Sequence, residues 1–345
     1  MNVEDKLTKI LNTAIDGNNI FGTVVAIDST SLKWAGSSGN LYDNSRYFIA
    51  STTKIYISAL LLKLRSQNLI NIDDKISKYL PTEIMKNLHL YKGVNYSNGI
   101  TIKNLMANTS GLPDYFQGKK DNGKSLMGEL LSGNDYAWSF NDIINDTKKM
   151  KPKFVPGSKG KAFYSDTNYQ LLGKIIEIVK GKNLSGSLDE MIFAQLDLLE
   201  TYLYTDITDT RPAPLNFKNN KLLIPNAMSS FWADGGIVST AEDSLKFIKA
   251  FFNGSIFPKE YLPELYVWNK IFYPLQYGVG LIRFKLPRIF TPFKSIPELI
   301  GHSGLSGAFT FYCPEREIYL AGTVNQINNP HSSYKLMVKL LTELL

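Results

Sequence analysis

A serine and a lysine that could carry out nucleophilic chemistry lie three residues apart in the segment IASTTKIYIS, residues 49–58. Residues three apart share one face of a helix, so Lys54 can reach the Ser51 hydroxyl if Ser51 lies in the first turn. Burial disfavours an ammonium, so a lowered pKa would make Lys54 a neutral base. The helix N-terminus also offers N–H groups to an oxyanion. A capping serine followed by a lysine that reaches solvent would give the same pattern, and this segment alone leaves both interpretations open.

A tyrosine lies just ahead of a second predicted helix, in FYSDTNYQLLGKIIEIVKG, residues 163–181. Ser165 or Asp166 is expected to cap this helix, and the leucines and isoleucines supply its apolar face. The phenol of Tyr164 could shuttle a proton if a nearby cation such as Lys54 lowers its pKa. An aromatic ring that packs at the helix entrance is the alternative interpretation.

A third polar group occurs in ELIGHSGLSGAFTFY, residues 298–312, between two apolar stretches. An edge strand here could present His302, Ser303 and backbone groups to a bound acyl chain. Gly304 would let the substrate approach the backbone closely. A histidine hydrogen-bonded at a strand end would fit the same residues.

The order of these three motifs resembles that of the penicillin-recognising serine hydrolases. STTK is followed by YSD 110 residues after the lysine, and HSG follows 138 residues after the tyrosine. The resemblance is to the branch with class C β-lactamases, DD-carboxypeptidases, D-aminopeptidases and related esterases. NLMANTSGLPDYF and DGGIVSTAEDSLKFIKAFF resemble further family segments, so the likeness extends over residues 20–340.

The resemblance implies a role for each matching position. Ser51 would be the acylated nucleophile and Lys54 its proton-accepting partner. Tyr164 would act as general base and then as general acid toward the leaving group. His302 would line the substrate cleft, and the N–H groups of Ser51 and Leu305 would form the oxyanion hole.

The implied substrate-binding residues also include Ser303, Gly304 and Asp166, although Asp166 departs from the family pattern. Many relatives carry asparagine there, and an acidic group could neutralise Lys54 or repel an anionic substrate. HSG replaces the KTG of many β-lactamases, and a neutral histidine makes efficient β-lactam hydrolysis less expected.

Two further positions depart from the family pattern or could add to it. Asn108 stands where many relatives have histidine. Arg283 or Arg288 could clamp a substrate carboxylate.

Strand patterns at both ends of the chain enclose a helix-rich middle. GTVVAIDS and LKWAGSSG lie near the start, and YGVGLIRFK and the hairpin GAFTFYCPEREIYLAGTVNQ lie near the end. These patterns predict an α/β (α+β) fold in which terminal helices flank one antiparallel sheet. Residues 1–69 and 230–345 would form this domain, and residues 70–229 a mostly helical insertion. The resemblance implies the same architecture, the β-lactamase/transpeptidase-like fold.

The composition is that of a globular protein large enough for two subdomains. The 345 residues are 44% hydrophobic and 20% charged, with a formal net charge of +7. The lysines are scattered, which argues against nucleic-acid binding. The single cysteine, Cys313, excludes an intrachain disulfide and is expected in the core.

Several functional classes lack their signals. No run approaches the roughly 18 apolar residues of a membrane span. The N-terminus lacks the features of a signal peptide, which favours the cytoplasm unless an export signal has been removed. No zinc-hydrolase motif or Cys/His cluster occurs, so no metal or other cofactor is expected.

The leading interpretation is a serine acyl hydrolase, an amidase, peptidase or esterase, that acts on a small molecule or short peptide. A Ser-His-Asp hydrolase would need G-x-S-x-G, and GHSGL and GLSGA only approach it. A penicillin-binding sensor or a weakly catalytic peptide-binding scaffold remains the alternative. The oligomeric state is not predicted.

Overall fold

A computed structural model describes residues 2–120, 123–286, 296–329 and 331–345. The helices are α1 (Val3–Ala14), α2 (Thr53–Ser66), α3 (Thr82–Met85), α4 (Ile102–Met106), α5 (Leu126–Leu131), α6 (Phe140–Lys149), α7 (Asp166–Lys180), α8 (Leu184–Leu188), α9 (Pro225–Gly235), α10 (Ala241–Asn253), α11 (Leu262–Leu265) and α12 (His331–Leu344). The strands are β1 (Gly22–Asp28), β2 (Lys33–Gly39), β3 (Tyr47–Phe48), β4 (Leu90–Tyr91), β5 (Val94–Asn95), β6 (Tyr202–Leu203), β7 (Leu215–Phe217), β8 (Asn220–Leu222), β9 (Ile237–Ser239), β10 (Asn269–Phe272), β11 (Leu275–Tyr277), β12 (Ile282–Phe284), β13 (Leu299–Ser303), β14 (Ala308–Cys313) and β15 (Ile318–Thr323).

The largest sheet joins strands from both ends of the chain. Its order is β10-β11-β12-β13-β14-β15-β1-β2, and neighbouring strands pair antiparallel. Successive side chains of a strand point to opposite faces. In β1, Val24 and Ala26 accordingly join one hydrophobic cluster, whereas Val25 and Ile27 join another. The sheet is therefore buried on both faces along its centre.

Helices cover both faces of this sheet. Leu7 of α1 and Leu340 of α12 pack in the cluster that contains Val25. Phe251 of α10 and Ile57 of α2 pack in the cluster on the other face. The predicted antiparallel sheet with flanking terminal helices is confirmed. Cys313 is fully buried in β14, as its apolar surroundings indicated.

Helix α2, which begins two residues after the candidate nucleophile Ser51, runs through the middle of the protein. Eleven residues of this helix are buried, including Lys54 and Ser58. An apolar surface on almost every face is what the sequence predicted, and such a helix is stable only inside a core. The position of α2 places its first turn between the main sheet and the helix-rich part of the chain.

The helix-rich middle contains α3–α9 together with short two- and three-residue strands. The main sheet takes its strands from residues 22–39 and 269–323. This arrangement is compatible with an inserted helical domain. The boundaries proposed after residues 69 and 229 remain a prediction.

Two details of the predicted strands are wrong. The run YGVGLIRFK was expected to be one strand, but a turn separates β11 from β12. In this turn Gly280 has a φ of +77°, and the Gly278 N–H donates to the Leu281 carbonyl at 2.8 Å. Strand β13 is also not an edge strand, because β12 pairs with residues 299–301 and leaves only His302 and Ser303 beyond it.

A glycine in β13 should be essential for the close approach of its neighbouring strand. A Cβ atom at Gly301 would lie 2.0 Å from the Thr310 carbonyl oxygen in β14. We expect Gly301→Ala to destabilise the protein by about 1–3 kcal/mol, since backbone must move to relieve the clash. Denaturant unfolding measures this loss. The matched change Gly99→Ala meets no atom within 4 Å and should stay within about 0.5 kcal/mol of the parent; equal losses would contradict the packing argument.

Candidate active site

Ser51 lies in a short 3₁₀ turn (Ala50–Thr52) that joins β3 to α2. Ala50 has a φ of +45°, an unusual value for a residue with a Cβ atom. This turn directs Ser51 to a cavity while α2 begins two residues later. Lys54 follows by one helical turn, and its Nζ donates to Ser51 Oγ at 3.0 Å. The predicted approach of these two side chains is confirmed.

The Lys54 ammonium is completely buried among oxygen atoms. Besides Ser51 Oγ, its Nζ donates to the Asp234 carbonyl oxygen at 2.6 Å and lies 2.7 Å from Asp166 Oδ1. Burial alone would lower the pKa of Lys54, but the negative charge of Asp166, with smaller contributions from Tyr164 and Asp234, raises it far above its ordinary value. The prediction of a neutral Lys54 is therefore wrong for the free protein, because Asp166 supplies a counter-charge.

Tyr164 completes the group around Ser51. Its phenol interacts with the side chains of Ser51 and Lys54, and Lys54 Nζ lies 5.3 Å from the centre of its ring. Burial raises the pKa of Tyr164 well above its ordinary value, and this effect outweighs the opposing effect of Lys54. A tyrosinate at neutral pH, which the sequence suggested, is therefore not favoured. The phenol keeps its proton.

Asn108 holds the segment that carries Tyr164. Its carbonyl oxygen accepts from the Phe163 N–H at 2.8 Å, and its Oδ1 accepts from the Ser165 N–H at 3.0 Å. The same Oδ1 accepts from Asn168 Nδ2 at 2.8 Å. These bonds to both neighbours of Tyr164 fix the direction of the phenol. An asparagine suits the position because it also tolerates the observed φ of +56°.

Helix α7 begins without the expected side-chain cap. Ser165 occupies the N-cap position, but its hydroxyl donates to the Pro113 carbonyl oxygen. The Asp166 side chain turns toward Lys54 instead. The backbone N–H of Asp166 donates to Asp114 Oδ1 at 3.1 Å. A carboxylate from a distant loop therefore accepts from the first N–H group of the helix.

Sequence reasoning missed two further buried carboxylates. Asp234 Oδ2 accepts from the Tyr115 hydroxyl at 2.8 Å and from Gln170 Nε2 at 2.9 Å. Burial, reinforced by the charge of Asp166, raises the pKa of Asp234 well above its usual range. The same two causes raise the pKa of Asp114 to about 7. The available signal for both was their place in DGG and LPDYF, which the family resemblance had already highlighted.

The HSG segment meets the start of α2 through a tight turn. A Cβ atom at Gly304 would lie 2.3 Å from the Ile49 carbonyl oxygen and 3.0 Å from Ala50 Cβ. Ser306 Oγ donates to the Phe48 carbonyl oxygen at 2.7 Å. These contacts fix residues 304–306 against the backbone that precedes Ser51.

His302 lies behind this surface rather than on it. Its Nε2 is 3.2 Å from the Tyr277 hydroxyl, and its Nδ1 is 2.8 Å from the Ser303 carbonyl oxygen. Burial and the nearby Lys54 charge lower the pKa of His302 to about 3, so the imidazole is neutral. The side chain is fully buried and is not among those that line the cavity, which argues against the expected contact with substrate.

A cavity of about 860 Å³ unites most of the predicted site. The residues that line it include these: Ser51, Tyr164, Asp166, Ser303, Gly304 and Leu305. Lys54 lies just beneath its floor. The cavity is within the size range of roughly 300–1,000 Å³ that is typical of small-molecule sites.

The suggested arginine clamp is not supported. Arg283 Nε donates to Gln276 Oε1 at 2.8 Å, and its guanidinium lies 5.0 Å from the centre of the Trp268 ring. Arg283 is not among the residues that line the cavity. Arg288 lies outside the described residues.

The sequence is similar to those of known serine hydrolases. Residues 19–341 match the family model described as Beta-lactamase, and the chain belongs to the beta-lactamase family of serine hydrolases. It is 26% identical over 330 residues to a putative D-alanyl-D-alanine carboxypeptidase of Escherichia coli (strain K12), a match that covers 86% of this chain and 70% of that protein. It is 27% identical over 243 residues to a teichoic acid D-alanine hydrolase of Staphylococcus aureus, and this match covers 69% of the chain but 54% of that protein.

The fold has a close structural counterpart. D-amino acid amidase from Ochrobactrum anthropi SV3, in complex with L-phenylalanine amide, aligns with a TM-score of 0.81. The alignment covers 99% of each chain at 20% sequence identity. At this identity the likeness establishes the β-lactamase/transpeptidase-like fold and leaves the substrate open.

The described part of the chain lacks two further features, a membrane-spanning helix and a metal-binding cluster. Within residues 2–120, 123–286, 296–329 and 331–345, no helix has the length and apolar character needed to cross a membrane. The same ranges contain no group of three or more His, Cys, Asp or Glu side chains arranged to hold a metal ion.

The Lys54–Asp166 pair should stabilise the fold in a pH-dependent way. Asp166→Asn leaves a buried ammonium without its counter-charge, and we expect a loss of about 3 kcal/mol in the free energy of unfolding at pH 7. Without Asp166, burial lowers the Lys54 pKa, so the native state releases this proton before the unfolded state does. The loss should therefore shrink as the pH rises toward 9.

Denaturant unfolding at several pH values tests this expectation. Lys6→Gln, which breaks the exposed Lys6–Glu343 pair with its 3.0 Å N–O distance, is the control and should cost less than about 1 kcal/mol. A loss in Asp166→Asn that stays constant from pH 7 to 9 would contradict the assigned charge of Lys54.

Asp114 should make the protein less stable as the pH rises. Its pKa of about 7 means that the native state keeps a proton that the unfolded state releases near pH 4. The free energy of unfolding should therefore fall between about pH 4 and pH 7, by up to about 1.4 kcal/mol for each pH unit. Asp114→Asn keeps an oxygen acceptor but removes the titration. Its stability relative to the parent should rise across this range, and a flat difference would refute the assignment.

Proposed function

We propose that the protein is a serine acyl hydrolase that cleaves esters, amides or short peptides through a covalent Ser51 acyl-enzyme. The observation that carries this proposal is the 3.0 Å contact between Lys54 Nζ and Ser51 Oγ beside a cavity that Tyr164 also lines. A covalent intermediate divides a difficult acyl transfer into two easier steps, which explains why a serine is placed among proton-transfer groups.

In the first step Ser51 Oγ bonds to the acyl carbon, and the bond from that carbon to the leaving oxygen or nitrogen breaks. Lys54 is charged and Tyr164 is protonated in the free protein. A concerted transfer satisfies both conditions: the phenol oxygen takes the Ser51 proton while the phenol proton moves to the leaving group. The Lys54 ammonium stabilises the negative charge that develops between them. Water repeats the sequence in the second step and releases the acid.

The oxyanion would be held by the N–H groups of Ser51 and Leu305. Support comes from the contacts of Gly304 with Ile49 and Ala50, which bring the turn at 304–306 against the nucleophile's own backbone. Donors that are fixed before reaction can stabilise developing charge without reorganisation, and such groups make large contributions to acyl transfer.

Lysine, rather than histidine, is the proposed partner of Ser51. His89 bonds to the Phe154 carbonyl oxygen and His302 faces Tyr277, whereas Lys54 is the group hydrogen-bonded to Ser51. These contacts favour Lys54 over His89 and His302 as the partner of Ser51, while the third histidine, His331, lines the cavity from the start of α12.

A penicillin-binding sensor is the second candidate, and the Asp166 contact favours it. If proton transfer required a neutral Lys54 instead of Tyr164, the charge that Asp166 holds on Lys54 would slow the second step and leave the acyl group on Ser51. Intact mass spectrometry over time separates the two functions. A hydrolase returns to its original mass after the acyl donor is consumed, whereas a sensor retains the added acyl mass.

Replacement of the nucleophile should abolish covalent labelling. We expect a fluorophosphonate probe to add one adduct to the parent protein and none to Ser51→Ala, while Ser31→Ala, an exposed serine, should label like the parent. Full labelling of a folded Ser51→Ala variant would refute the proposed nucleophile.

Tyr164→Phe should slow acylation by about 10²–10⁴-fold, because it removes the proposed proton carrier.

A further inference from the structure

The cavity at Ser51 has two apolar walls that belong to separate hydrophobic clusters. The Leu305 wall consists of Leu305 and Phe48 with cavity-lining side chains of α5, the β7–β8 hairpin and α9. The Tyr164 wall consists of Tyr164 with side chains of β10–β12 and α12. A substrate attached to Ser51 therefore has a different wall for each of its two parts.

The proposed chemistry assigns one part of the substrate to each wall. Tyr164 would protonate the leaving group, so the leaving group belongs at the Tyr164 wall. The acyl group then extends toward the Leu305 wall, where the Leu305 N–H would hold the oxyanion. This assignment rests on the proposed function.

The Leu305 wall presents hydrocarbon surface to the cavity. Met127 and Leu131 of α5 and Phe231 of α9 line the cavity and are only half-buried. Leu222 and Leu305 extend the same surface. Such surface gains free energy when an apolar ligand covers it.

Four aspartate or lysine side chains are among the described residues that line the cavity: Asp166 and Asp234, which both contact Lys54, and Lys335 and Lys339 on α12. Asp166 is engaged with Lys54, and the Asp234 carboxylate with Tyr115 and Gln170. A substrate ammonium at the Leu305 wall would therefore be desolvated without a free partner, which is costly.

From this distribution we infer that the protein acts on esters or amides of uncharged, apolar carboxylic acids whose acyl group is a medium-length alkyl chain or an aromatic group. The acyl group passes from the leaving alcohol or amine to Ser51 Oγ. Tyr164 takes the proton that Ser51 loses and gives its own phenol proton to the leaving group. Water then releases the free carboxylic acid. The Leu305 wall binds the hydrocarbon part throughout both steps.

A series of p-nitrophenyl esters tests the chain-length dependence on the parent protein. Each methylene that becomes buried should raise kcat/KM by about two- to fourfold. We expect kcat/KM for the octanoate to exceed that for the acetate by about tenfold or more, and a smaller ratio would overturn the inference. If neither ester acylates Ser51, the proposed function itself fails, which is a distinguishable result.

A matched pair of esters tests the exclusion of charge. p-Nitrophenyl heptanoate and p-nitrophenyl 6-aminohexanoate have nearly the same length, but the second ends in an ammonium. We expect kcat/KM to be at least about 30-fold lower for the amino ester, because its charge would lose water at the wall. Equal values for the two esters would overturn the inference while leaving the acyl-enzyme proposal intact.

Variants of the Leu305 wall connect this preference to the structure. Met127→Trp should fill part of the cavity and lower the octanoate-to-acetate ratio of kcat/KM by about fivefold or more, and Leu131→Trp provides a second version if the first does not fold. Leu199→Trp, at a leucine that is 80% exposed, should leave the ratio unchanged. An unchanged ratio in the folded wall variants would place the acyl group elsewhere and overturn the inference.

Discussion

The Lys54 ammonium is held out of water by three oxygen atoms from three separate parts of the chain. Ser51 lies one turn earlier on the same segment, Asp166 begins α7, and the Asp234 carbonyl lies near the end of α9. A buried charge of this kind is tolerated only while its partners stay in place. The cation therefore requires these segments to keep one arrangement, and the same arrangement brings Ser51 and Tyr164 to one cavity.

Much of this arrangement could be predicted from the sequence. Apolar runs predicted the β14–β15 hairpin and strands β1 and β2 near the start of the chain, and the continuous apolar surface of α2 predicted its burial. The helical spacing of Ser51 and Lys54 predicted their contact. These features are local, or depend on a periodicity that a single segment displays by itself.

The protonation of the site was not predictable in this way. The pKa of Lys54 depends on Asp166, 112 residues later, and the buried position of His302 depends on Tyr277. Neither contact can be read from a local pattern, and only the family resemblance suggested that Asp166 could neutralise Lys54. The split of YGVGLIRFK into two strands was missed for a related reason: Gly280 takes a left-handed conformation that an apolar run conceals.

The main sheet pairs strands from the start of the sequence with strands from its end, and this pairing affects when a newly made chain can form the candidate site. Val24 in β1 pairs with Thr323 in β15, and Phe48 accepts from Ser306, so early segments find their partners some 250 to 300 residues later. Contacts of such long range close slowly. During synthesis, Ser51 and the backbone before it therefore lack their contacts with residues 304–306 until the ribosome has released that later segment.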